Sequence, residues 1–283
     1  MIRIVTDSAA DFTLAQLKAL GITCCPIQIT FGEDSYADGI ELTQETFWSR
    51  IMSGENPKTS QPSPEAFLSI FEEAAGMGDE VVCILVSSAL SGTLQSATIA
   101  RSMMDDGSSV HIVDSVSAAC GEQLLVRHAC RLRDEGALSA GEIAGELVSY
   151  RSRIRIYAAL DTLEYLARGG RIPKAASGLG SLVKLKPIVT VTPDGLVGMA
   201  GKGLGAHRAS QALISLIAAH TIDPDEPIYP LYTYDTENCS AFVRKLQQTG
   251  VACDMDNACA IGPTIATHIG PNAYGLAFVE KKL

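Results

Sequence analysis

Ser87, Ser88, Ser91 and Thr93 crowd the short stretch 87–93 around Gly92, after an apolar run from Val81 to Val86 and before a helix-like pattern from Leu94. A buried strand feeding a helix through such a loop points backbone N–H groups and hydroxyls at one spot beyond the sheet edge. Helix N-termini carry partial positive charge and unpaired donors, so that spot suits an anion. No basic or metal-binding side chain lies in the loop, so it reads as a holder of a small acid or phosphate rather than as catalytic machinery.

Four further hydroxyl- or glycine-rich segments interrupt apolar runs. They are Thr6-Asp7-Ser8, Lys58-Thr59-Ser60-Gln61-Pro62-Ser63, Asp114-Ser115, and Gly262-Pro263-Thr264 with His268-Ile269-Gly270-Pro271. Loops at the carboxyl ends of strands in a doubly wound sheet converge on one crevice. Those after strands 2–5, 81–86 and 109–113 share that edge. Ser, Thr, Gly and Pro are also ordinary turn residues; three such loops on one edge shift the balance toward a site.

Arg168-Gly169-Gly170-Arg171 closes an amphipathic stretch, Leu163 to Leu166. It reads equally as a glycine-capped helix end with dipole-compensating arginines and as a guanidinium-bearing turn for phosphate or carboxylate. Gly201-Lys202-Gly203-Leu204-Gly205-Ala206 matches G-x-G-x-x-A, but its preceding strand is the second arm of a hairpin, and the nearest acidic residue at the expected distance, Asp223, precedes the next strand instead of ending it. A dinucleotide site is therefore not expected there. His268 is the one histidine in a glycine- and proline-bounded loop. A hydrolase or phosphatase acting on acyl or phosphoryl esters would pair it with Ser91. That reading lacks a G-x-S-x-G elbow and an evident third acid. The pairs Glu72-Glu73 and Asp105-Asp106 lie on or just after helix patterns and read as solvated. H-E-x-x-H and P-loop patterns are absent.

The chain has 283 residues, 47% hydrophobic and 19% charged, with a net charge of -10. That composition belongs to a globular protein with ample core. The acidic balance argues against non-specific nucleic-acid binding. No apolar run approaches the ~20 residues that cross a bilayer, and the N-terminus does not read as a signal peptide. None of the 8 cysteines forms a C-x-x-C pair; the expectation is reduced core thiols in a cytoplasmic protein, without a metal.

The elements that must position these residues divide the chain near residue 153. In 1–153, strands at 2–5, 23–30, 81–86 and 109–113 alternate with helices at 13–20, 43–52, 64–75, 92–104, 117–135 and 139–152. Ser63 is the expected N-cap of the third helix, with Pro64 at its first position. Such alternation predicts an α/β domain with a doubly wound, mostly parallel sheet. In 154–283, strands at 154–160, 187–193 and 196–200, the last two joined by Pro193-Asp194-Gly195, predict an antiparallel hairpin and an α+β domain. A helix at 205–220, a strand at 227–234, a helix at 237–248 and strands at 251–256 and 274–280 complete it.

The ordered segments IVTDSAADF (4–12), KTSQPSPEAF (58–67), SSALSGTLQSA (87–97), VDSVSAACGEQLLV (113–126), LDTLEYLARGGRI (160–172), KPIVTVTPDG (186–195) and IGPTIATHIGPNAYGLAF (261–278) resemble the DegV family of fatty-acid-binding proteins. The resemblance implies two domains enclosing one long-chain fatty acid. It further implies a carrier, without a catalytic residue or cofactor of its own, that presents the acyl carboxylate to a separate ATP-dependent fatty acid kinase serving phospholipid synthesis. On the matching motifs, Thr59 and Ser60, then Ser91, Gly92 and Thr93, and also His268 fall at the carboxylate. Arg171 falls at the headgroup or the kinase contact. Arg168 stands where the family often has lysine, Asn272 where it often has glycine, and the stretch after Lys202 is glycine-rich where more basic residues are common. A third reading, a module for another small anion such as a sugar phosphate, remains open from the headgroup loop alone.

Overall fold

The computed structural model of the chain describes residues 1–172 and 185–282. Its first sheet is built from β1 (Ile2–Asp7), β2 (Ile22–Cys25), β6 (Glu80–Leu85) and β7 (Val110–Asp114), all parallel, in the order β2-β1-β6-β7. Both faces are apolar, and β6 shows why. Val81, Cys83 and Leu85 pack with Val5 against Phe67 and Phe71 of α3 (Pro64–Gly76) and Ala97 and Ala100 of α4 (Thr93–Met103). The alternate residues Val82 and Ile84 pack with Ile4 against Leu124 and Leu125 of α5 (Cys120–Glu135) and Ile143 and Leu147 of α6 (Ala140–Tyr150). The two-residue period of a strand thus feeds two cores, one on each side of the sheet. Ser63 and Pro64 start α3 as expected, the Ser63 hydroxyl accepting from Ala66 N at 3.3 Å.

The stretch 23–30 is not one strand. Pro26 has no N–H to give to a ladder, and the chain leaves the parallel sheet after Cys25. It resumes as β3 (Gln28–Phe31), between β4 (Asp34–Ala37) and β5 (Lys58–Ser60) in a small antiparallel sheet. Lys58-Thr59-Ser60 is accordingly an edge strand rather than a loop, with Thr59 opposite Ile29. Between β4 and β5 lies α2 (Gln44–Met52). Its Trp48 meets Phe47 and Tyr234 edge-on, with ring centroids 4.9 and 5.6 Å apart, and its Gln44 Nε2 donates to Ile261 O at 3.0 Å. The remaining helix of this half is α1 (Leu14–Leu20).

The second large sheet runs β10 (Val197–Leu204), β9 (Leu185–Val191), β8 (Ile154–Ala159), β13 (Tyr274–Val279), β11 (Tyr229–Tyr232), β12 (Cys259–Ala260), antiparallel except at β11–β12. Tyr274, Leu276 and Phe278 of β13 face α8 (Gly205–Ile217) and α9 (Glu237–Gln247), meeting Leu213, Ile217, Phe242 and Leu246. Ala277 and Val279 face the other way and join the core that contains α5. The glycine-rich stretch 201–203 lies inside β10, whose register shifts between Met199 and Gly201. Residues 251–256 form no strand. The Asp254 carboxylate accepts from the amides of Asp256 and Asn257 and turns the chain there. Gly262 to Ile269 is not a loop either, because Pro263 opens a helix, α10 (Pro263–Ile269), that carries His268. Proline at a helix's first position loses no hydrogen bond, and its presence in the sequence masked a start signal as a turn. A short helix α7 (Glu164–Arg168) follows β8.

At the switch point of the parallel sheet, β1 sends the chain to β2 on one side and neighbours β6 on the other. Asp7, fully buried, occupies that point. Its Oδ1 accepts from Ala9 N at 2.8 Å and its Oδ2 from Val86 N at 2.9 Å. Burial nevertheless pushes its carboxyl up to about 7, with the nearby Asp38 charge adding to the effect against the two amides.

Two outcomes follow for stability. A Cβ at Gly275 would collide with the Tyr157 carbonyl of β8, so Gly275→Ala should cost about 1–3 kcal/mol, read from urea unfolding midpoints. Asp7 binds its proton far more tightly folded than unfolded. Its contribution is therefore complete below its ordinary carboxylate range and is lost as pH rises through about 7. Asp7→Asn, which cannot ionise, should remove a slope of up to about 1.4 kcal/mol per pH unit from stability measured between about pH 5 and 7.

Candidate functional site

Beyond the carboxyl ends of β1 and β6 lies a partly open cavity of about 420 Å³. Its floor comes from the first half: Ala9 after β1, Val86 and Leu90 after β6, and Ala118 and Ala119 before α5. Its opposite wall is the inner face of the second sheet, with Ile156 and Ala158 of β8, Val189 and Val191 of β9, Val197 of β10 and Leu231 of β11. Ile265 and Ile269 of α10 close one side. β-Branched residues favour strands and turn one face inward, so the pattern that builds the sheets also makes this wall aliphatic. Ala119 has φ 55, a left-handed value, on the short connection that brings the floor residues under the second sheet.

Most polar groups on the lining gather from four segments. β5 and its end supply Thr59, Ser60 and Gln61; the loop before α4 supplies Ser91 and Gly92; Arg171, just past α7, and His268 on α10 complete the set. These include six of the seven site residues expected from the sequence. Thr93 is the exception. It is fully buried and off the lining, and its hydroxyl and amide both bond to Ser91 Oγ, at 2.8 and 3.3 Å. Its place is to hold the Ser91 hydroxyl, one step behind the wall.

His268 and Thr59 meet directly, Nε2 to Oγ1 at 2.9 Å. Burial, helped by the Arg171 charge, lowers the imidazole to about 4, so it is neutral near pH 7. Its Nδ1 is buried with no partner. With the ring proton on Nε2, the unpaired atom is a lone pair instead of an N–H, and His268 donates to Thr59. The Thr59 hydroxyl hydrogen is then free to point into the cavity. This arrangement sets the imidazole on Thr59, while Ser91 is engaged with Thr93; the Ser91–His268 pair of the hydrolase reading is not formed.

Arg171 donates through Nε to Leu90 O at 3.1 Å and through Nη1 to Gly169 O, so part of its fork is spent on the loop it steadies. Arg168 lies off the cavity, on the surface, with Nη1 at 2.5 Å from Asn56 Oδ1 and Nη2 3.5 Å from Glu164. The Pro193-Asp194-Gly195 turn reaches the first loop, Ser87 Oγ donating to Gly195 O at 2.8 Å. Asn272 takes φ 60, a conformation asparagine tolerates better than most residues, and its Nδ2 donates to Asp161 Oδ2 at 3.0 Å. The turn that differs from the family pattern is thereby tied to the end of β8.

Sequence reasoning missed the carboxylates that fasten α10 to the first half. Asp38 Oδ2 accepts from the Thr264 hydroxyl at 2.5 Å and from its amide at 3.3 Å; Asp11 Oδ1 accepts from Gly262 N at 2.9 Å. Burial raises both carboxyls. Gln61 was also missed, although it stands next to Ser60 in the same motif. Among the described residues, no group of three or more His, Cys, Asp or Glu side chains is placed to hold a metal ion. The eight cysteines are all free thiols, and no helix among the described residues is long and apolar enough to cross a membrane.

Comparison with known proteins agrees with this architecture. A family model described as "Uncharacterised protein, DegV family" matches residues 1–281. A DegV domain-containing protein of Caldanaerobacter subterraneus subsp. tengcongensis is 34% identical over 280 residues, covering 99% of each chain. A DegV family protein of Thermus thermophilus, whose structure is described as showing fatty acid binding, superposes with a TM-score of 0.86 at 30% identity over 99% of both chains. A stearic acid-binding protein of Eubacterium ventriosum gives 0.84 at 28%, and DegV of Bacillus subtilis, described as a fatty acid binding protein, gives 0.81 at 27%, each over 99% of both chains. With sequence motifs, sheet order and whole-length similarity all in agreement, the chain belongs to the DegV family.

Proposed function

We propose that this protein binds one long-chain fatty acid between its segments 1–153 and 154–283. The carboxylate lies at Thr59, Ser60, Ser91 and Gly92, with His268 behind Thr59 orienting its hydroxyl, and the acyl tail along the aliphatic wall. The observation that carries this reading is the cavity itself, about 420 Å³ lined by Ala, Val, Leu and Ile with hydroxyl groups and a neutral imidazole among them. A volume of that size is in the range of sites for ligands with a tail. Burial of the tail supplies affinity at ~0.8 kcal/mol per methylene. The fatty acids described for the Thermus and Eubacterium relatives support the same ligand class here.

Neutral donors bind a carboxylate without forming a covalent bond to it, and the groups present hold it in one orientation. We further propose that the protein is a carrier in the cytoplasm and that a separate ATP-dependent fatty acid kinase takes the presented carboxylate to the acyl-phosphate. Among the described residues Arg171 spends Nε on Leu90 and Nη1 on Gly169, and its Nη2 would serve the headgroup or that encounter.

Denaturing extraction of the purified protein followed by mass spectrometry should yield a long-chain fatty acid in near-equimolar amount. Recovery of no lipid, together with no uptake of added fatty acid, would sink the reading. Thr59→Ala and Ser91→Ala should each weaken fatty acid binding by about 1–3 kcal/mol in titration calorimetry, the value of one hydrogen bond to a charged group. Unchanged affinity in both would remove the carboxylate from this end of the cavity.

A further inference from the structure

Thr59 and Ser60 arrive on β5 and Ser91 on the loop before α4, two segments far apart in sequence that share no sheet. Gln61 is the side chain that joins them. Its Nε2 donates to Ser96 Oγ, in the first turn of α4, at 3.0 Å. Its Oε1 lies so close over Gly92 that a Cβ there would collide with it. Ser96 is buried, and Gln61 is its side-chain hydrogen-bond partner among the described residues. Gly92 is the N-cap of α4 and has no side chain with which to cap it. The amide therefore reaches past the hydroxyl groups and lies on the backbone of the opposing segment.

We propose that Gln61 is a positioning residue for the carboxylate, setting the spacing between the Thr59–Ser60 and Ser91–Gly92 segments through its bridge to Ser96 and its contact with Gly92. The inference rests on the fatty-acid reading only for the identity of the ligand; the bridge itself is made within the chain. Hydrogen-bond strength falls steeply once donors leave their geometry, so hydroxyls on two independent segments hold one carboxylate only if something fixes their separation. Ser96 does not touch the cavity, and this makes it the informative control. Its loss should act on the ligand solely through Gln61.

The test compares Gln61→Ala and Ser96→Ala with the unaltered protein, using palmitic acid and its methyl ester as probes. Both variants should bind the acid about tenfold more weakly, one charge-assisted hydrogen bond's worth, and the ester within about twofold of the unaltered protein. In the ligand-free protein both should also speed amide exchange in 59–61 and 91–93. Unchanged acid affinity in Ser96→Ala, or an equal loss for acid and ester, would overturn the positioning role. If the unaltered protein takes up neither probe, the ligand assignment fails. The exchange measurement then decides the bridge alone, and unchanged exchange in both variants would overturn it.

Discussion

Everything near the cavity depends on one carboxylate accepting from two chain segments at once. Asp7 ends β1 and takes the amides of Ala9, two residues on, and of Val86, the first residue past the neighbouring β6. Parallel strands must both turn away at this point to let a ligand approach the sheet edge. Each turn exposes an amide that water would otherwise have to satisfy. By meeting that demand inside the protein, Asp7 lets Ala9 and Val86 contribute to an apolar floor. Its raised carboxyl shows that the arrangement carries an electrostatic cost.

The same pairing of buried polar groups runs through the polar set. His268 is held neutral by burial, Thr59 takes its hydrogen bond, and Thr93 stands behind Ser91. The Thr59 and Ser91 hydroxyls are thus each held by a second residue. Preorganised donors lose little freedom on binding, which is how a few neutral groups hold an anion in place. The helix that brings His268 belongs by sequence to the second half but is fastened to the first, through Asp11, Asp38 and Thr59.

Much of this was legible in the residues alone. The run 81–86 followed by a hydroxyl loop identified both a buried strand and a wall of the site, because strand burial and loop chemistry are local properties. Ser63-Pro64 marked a helix start for the same reason. What escaped was tertiary. Pro26 divides an apparently continuous strand between two sheets, and a β-rich run cannot announce which sheet it will join. Thr59 lines the cavity but was read as loop, because pairing with Ile29 depends on residues far from it. His268 was read in a loop because Gly-Pro at 262–263 signals a turn and a helix start equally well. The cavity's aliphatic wall was hidden altogether, since a valine facing a tunnel has the same neighbours in sequence as one facing a core.

Trp48 is the chain's single tryptophan, and its setting has a practical meaning. Its ring lies on α2 against Tyr234 of the segment after β11, while Gln44 one turn earlier accepts the indole N–H and reaches Ile261. It takes no part in lining the cavity. Emission from this indole would therefore follow the contact between α2 and the segments around Tyr234 and Ile261, away from the cavity lining. An indole spectrum that changes on loading would be a record of the halves shifting against each other, seen by an optical gauge the fold already contains.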